Sequence, residues 1–206
     1  MRAEFRAPED LCISLRYVRA EQLLRADMGE RALVELQAIV AQNESTAGRF
    51  APRTVYARVD LVDGLGELGQ RERALEMAKA MFEEYRLTRS PDPRVLFVCR
   101  RVVAHWAGMC GSGRSALRAL EELRDEVTEW GWPPEYAINV ERRIRLWRAI
   151  ALMRSGHESQ AYCEFHGLVE DVRRESGESG VRWLGLPAVQ EELQARRNGS
   201  GAEGHE

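Results

Sequence analysis

The sequence predicts an all-α fold: a solenoid of about four helix pairs followed by a C-terminal capping helix. Three observations predict it. Pro8, Pro52, Pro93 and Pro134 each open a helix-like run, and they stand 44, 41 and 41 residues apart. Ala32, Ala74, Ala116 and Ala161 each lead a second helix, at spacings of 42, 42 and 45 residues. In three of the four units a glycine, Gly69, Gly111 or Gly156, precedes that alanine by five residues. A fixed period of this length marks a repeat array. Each unit of such an array buries its apolar face against its neighbours.

The first helices are expected over residues 9–27, 53–68, 94–110 and 135–155. Proline at the first helical turn removes no intrahelical hydrogen bond, because that N–H has no partner inside the helix. The second helices share one apolar face. Offsets 0, 1, 4, 7 and 8 from the leading alanine give Ala32, Leu33, Leu36, Ile39 and Val40, then Ala74, Leu75, Ala78, Met81 and Phe82. The third and fourth units give Ala116, Leu117, Leu120, Leu123 and Arg124, then Ala161, Tyr162, Phe165, Leu168 and Val169. All but Arg124 are apolar, and the spacing is one face of a 3.6-residue helix. A small residue at offset 0 lets the partner helix approach. The preceding glycine tolerates the positive φ that ends one helix and turns into the next. The first unit has Asp27 there, with Gly29 nearby.

Polar loops are expected at Gln42–Gly48, Thr88–Asp92, Trp130–Pro133 and Ser176–Gly180. The units then run over about 8–48, 49–90, 91–131 and 132–176, with a cap over 184–197 and a disordered tail over 198–206. No period-2 strand pattern competes with this reading.

Composition narrows the function classes. The 206 residues are 44% hydrophobic and 31% charged, a globular mix. A net charge of -3 lacks the basic excess of a nucleic-acid binder. No apolar run reaches the roughly 18 residues of a membrane span, and Met1–Asp10 shows no secretory apolar stretch. A cytoplasmic location is expected. The cysteines, Cys12, Cys99, Cys110 and Cys163, form no C-x-x-C pair and read as small buried hydrophobes. There are 29 arginines and a single lysine, Lys79, which points to a GC-rich coding bias and an actinobacterial source. Lys79 itself reads as part of a solvated helix face.

Several stretches look like chemistry, and each has a plainer reading. Gly108–Ser115 fits G-x4-G-K-S with Arg114 in place of the lysine. A forked guanidinium replaces a compact ammonium poorly, and the motif needs a preceding strand. An inter-helix turn is the expected structure, and a nucleotide-responsive protein is the alternative it leaves. Gly64–Gly69 matches GxGxxG inside a helical pattern, so two packing glycines and a helix end are expected. His157–Ala161 begins like HExxH but has Ala161 where the second histidine belongs. His157, Cys163 and His166 share a helix, but six residues rise about 9 Å, long for one tetrahedral metal site. No catalytic set, metal or cofactor is expected. Trp106, Trp130, Trp132, Trp147 and Trp183 read as packing residues, or as interface anchors among arginines.

The stretches Leu61…Gly69…Ala74, Ser90-Pro91-Asp92-Pro93…Gly111…Ala116 and Gly131-Trp132-Pro133-Pro134…Gly156…Ala161…Phe165 resemble the tetratricopeptide repeat (TPR) family. The likeness covers about 8–175 and is to its ~42-residue kinesin-light-chain and actinobacterial regulatory type. It implies a right-handed solenoid that binds proteins or peptides without catalysis. It further implies that the first helices line a concave groove with Tyr56, Val59 and Asp63, then Val98, Arg101 and His105, then Arg143, Leu146 and Ile150. The peptide-clamping asparagine pair of light-chain repeats is replaced here by Val59-Asp60, Arg101-Val102 and Leu146-Trp147. Arginines in such a groove suit an acidic segment or a free C-terminus. An adaptor or the partner-binding part of a regulatory system is the expected role, with structural self-assembly as a further alternative.

Overall fold

The computed structural model describes residues 8–26, 28–129 and 132–183. Among these residues all regular structure is helical: α1 (Pro8–Arg25), α2 (Gly29–Ala47), α3 (Pro52–Glu67), α4 (Arg71–Arg86), α5 (Pro93–Met109), α6 (Gly113–Glu129), α7 (Pro134–Arg154) and α8 (Glu158–Trp183). The four prolines are the first residues of α1, α3, α5 and α7. The chain divides into two compact units at Trp106/Ala107, inside α5. In the first unit α1 packs on α2, α2 on α3 and α3 on α4. In the second, α6 packs on α7 and α7 on α8. The all-α class built from helix pairs is the expected one.

The repeat register is visible in the burial. The leading alanines Ala32, Ala74, Ala116 and Ala161 are at most 1% exposed. Offset 4 (Leu36, Ala78, Leu120, Phe165) and offset 7 (Ile39, Met81, Leu123, Leu168) are buried throughout. Offset 1 is less uniform: Leu33 and Leu75 are buried, Leu117 is half-buried, and Tyr162 is exposed.

One hydrogen-bonded turn recurs inside the pairs. Gly69, Gly111 and Gly156 have φ of 81, 87 and 79°. Their N–H groups donate to Gly66, Gly108 and Met153 carbonyls, and the next residue's N–H donates five residues back: Gln70 to Leu65, Ser112 to Ala107, His157 to Leu152. This is the Schellman closure of a helix end. The same residue then starts the second helix, since the Gln70, Ser112 and His157 carbonyls accept from Ala74, Ala116 and Ala161. In the first pair Met28 does the same, donating to Leu23 and accepting from Ala32. Asp27, at the glycine's place, lies outside the described residues.

The boundaries between pairs corrected two expectations. Gln42–Ala47 is the last part of α2, not loop. The Ser45 and Thr46 hydroxyls donate to the Gln42 carbonyl and Asn43 is buried, so the polar residues continue the helix. The turn comes at Gly48, φ 91°, whose carbonyl accepts from the buried Thr54 hydroxyl at 2.8 Å. Ser176–Gly180 is likewise helical on both sides of a single break at Gly177, φ 63°. Gly177 follows Ala161 by 16 residues, as Gly48 follows Ala32, so it marks the same place in the repeat. Val181, past the break, is buried in the core of the fourth pair with Phe165, Leu168 and Val172. Thr88–Asp92 is a loop as expected, and Asp92 caps α5 by accepting from the Arg94 N–H at 2.8 Å. Trp130 and Gly131, the cap helix and the tail over 198–206 lie outside the described residues.

Candidate functional site

The expected groove residues of the first unit come from α3 and α5, and the structure divides them. Val59 and Val98 are 4% and 5% exposed. They belong to the helix-packing core and offer no surface to a partner. Tyr56 is 41% exposed, while Arg101 and His105 are half-buried. Asp63 is engaged within the fold: its Oδ1 accepts from Trp106 Nε1 at 2.9 Å. That bond depends on a close approach. Trp106 is buried and its ring lies on α3 at Gly66, where a Cβ would overlap three ring atoms. The His105 ring meets the Trp106 ring edge-on at 4.6 Å.

Sequence reasoning passed over the carboxylates alongside. Tyr56, Asp60, Asp63 and Glu67 are spaced i, i+4, i+7, i+11, one face of α3. Asp60 accepts a hydrogen bond from the Tyr17 hydroxyl of α1. Burial, and then that carboxylate, push the Tyr17 phenol well above its ordinary 10.0. Burial, and then Asp63, push the Glu67 carboxyl up from 4.5. The spacing was readable from the sequence; the partners on α1 and α5 were not.

A second charged group ties α3 to α4. Arg49 and Arg58 share Glu84, with nitrogen–oxygen distances of 2.8 and 3.0 Å. Hydrogen bonds from Arg49, followed by those from Arg58, hold the Glu84 carboxyl below its ordinary 4.5 against the opposing effect of burial.

In the second unit Leu146 and Ile150 are each 9% exposed and sit in the core of the fourth pair. Of the expected groove residues there, only Arg143 is exposed. The neighbouring arginines of α7 form ion pairs with adjacent helices. Arg142 pairs with Glu175, Arg145 with Asp171 at 2.8 Å, and Arg148 with Glu164 and Glu121 at 3.5 Å. Arginines three residues apart thus meet acids running the other way along α8, with one acid from α6.

The motif-like stretches serve the fold. In Gly108–Ser115 the Gly111 and Ser112 N–H groups close α5, so they are not free to cradle a phosphate. Gly108 lies where the Ala151 and Ala116 methyl groups approach, and a Cβ on Gly113 would overlap Ser155. In Gly64–Gly69, Gly64 lies against Leu36 and Leu33, Gly66 against Trp106, and Gly69 makes the turn. His157 is the exposed turn residue, and Cys163 and His166 are exposed on α8. Among the described residues no three His, Cys, Asp or Glu side chains come together to hold a metal.

Of the cysteines, Cys99 meets the expectation of burial and Cys163 departs from it. Cys99 is buried, Cys110 half-buried and Cys163 exposed. Cys163 follows Ala161 by two residues, an offset outside the buried set. The Cys12 and Trp183 side chains lie outside the described residues. Trp132 and Trp147 are half-buried, and Trp147 packs on the fourth-pair core. Lys79 is exposed as expected.

Comparison with known proteins places the fold. No family profile matches the chain, and no curated protein matches it. Solved structures do. A putative kinesin light chain from Podosopora anserina, with nearly identical TPR-like repeats, is 16% identical, covers 93% of each chain and superposes with a TM-score of 0.57. A single-residue variant of that protein is 15% identical over 96% of each chain, with a TM-score of 0.58. The chain therefore has a TPR-like helical-repeat fold. No described helix is long and apolar enough to cross a membrane.

Proposed function

We propose that this protein is a non-catalytic scaffold that binds a segment of a partner protein on the first helices of its repeat units. The observation that carries the reading is the repeat architecture itself. TPR-like pairs reuse one packing core, and Tyr56, Arg101, His105 and Arg143 lie between the core positions with side chains at least partly exposed. Stacked helical repeats present extended binding surfaces of this kind. In the first unit the contact positions are Tyr56, Arg101 and His105. In the second, Arg143 plays the same part. The buried Val59, Val98, Leu146 and Ile150 set the positions of their helices and do not touch the partner.

Arginine favours a carboxylate through short, forked, charge-assisted hydrogen bonds. The partner segment is therefore acidic, or ends in a free C-terminus. The net charge of -3 disfavours nucleic acid, whose phosphates arginine would also bind, and no described helix is long and apolar enough to cross a membrane. An adaptor, or the partner-binding part of a cytoplasmic bacterial regulatory system, is the role that fits such a surface.

The test starts with capture of partners from the source organism's lysate, followed by synthetic peptides of the captured protein. Arg101→Glu is expected to weaken a peptide held on the first unit at least tenfold, and Arg143→Glu one held on the second, in variants that still unfold cooperatively. Amidation of a C-terminal peptide is expected to act in the same direction. Unchanged affinity in both stable variants would remove these arginines from the binding site.

A further inference from the structure

We draw no further inference here: the strongest candidate, the carboxylate row of Asp60, Asp63 and Glu67 along α3 of the first unit, carries nothing because Tyr17 and Trp106 already hold two of its members and nothing in the structure points to a ligand for it.

Discussion

Replacing Gly66 by alanine tests the contact on which Trp106 depends. In an ordinary helix this change stabilises by up to about 1 kcal/mol, because glycine has the greater backbone freedom to lose. Here the added methyl overlaps the Trp106 ring. The ring cannot simply swing away, since it is 3% exposed and its Nε1 is bonded to Asp63 at 2.9 Å. Overpacking of this kind costs about 1–3 kcal/mol, and loosening the indole's hydrogen bond adds about 1 kcal/mol. Gly66→Ala is therefore expected to destabilise by about 1–3 kcal/mol after the propensity gain. Trp106→Ala alone should cost about 3–5 kcal/mol. With the ring gone the methyl has room, so Gly66→Ala added to Trp106→Ala should be neutral or stabilising by up to about 1 kcal/mol. The change of sign is the diagnostic. Urea unfolding of the four proteins, followed by far-ultraviolet circular dichroism, gives the cycle directly, and equal slopes establish that the free energies are comparable. A Gly66→Ala protein as stable as the parent, or an equal loss in both backgrounds, would refute the packing argument.

Three further outcomes follow from the same geometry. Gly156→Ala should cost about 1–2 kcal/mol. Its φ is 79° and nothing lies within 4 Å of the added Cβ, so the cost is conformational, and Gly156→Asn should recover part of it in a thermal melt. Glu84 has its folded-state pKa below the ordinary 4.5, chiefly through Arg49. Its contribution to stability is complete above that ordinary value and is lost as pH falls through the lowered one. Glu84→Gln should accordingly flatten the acid limb of a urea-midpoint titration, and an unaltered limb would show that the two arginines add nothing. For the cysteines, iodoacetamide at neutral pH should modify Cys163 in the native protein. Cys99, buried and with its thiol pushed up to about 11 chiefly by burial, should be modified only on unfolding. Peptide mass analysis would read both, and early modification of Cys99 would contradict its placement.

The sequence by itself determined the repeat. Proline at a helix start, glycine at a left-handed turn and a small residue where two helices touch are choices made within a few residues of the chain. They therefore recur at a fixed spacing, and the structure places Pro52, Gly111 and Ala116 where the period requires. Local composition misled where polar residues continue a helix, as at Gln42–Ala47, because a hydroxyl that bonds back to a carbonyl suits a helix as well as a loop.

Tertiary structure decided which surface residues are available. Val59 and Val98 lie on the predicted inner helices yet are closed off by packing, and Asp63 is held by Trp106, 43 residues away. The same holds for Arg145, half-buried and paired with Asp171 across α7 and α8; Arg143, two residues earlier, is the more exposed of the two. Along a helix two residues turn the side chain by more than half a revolution, so neighbours in sequence face different surroundings. A period fixes where helices begin and end; which charged side chains remain for a partner depends on what the next helix brings against them.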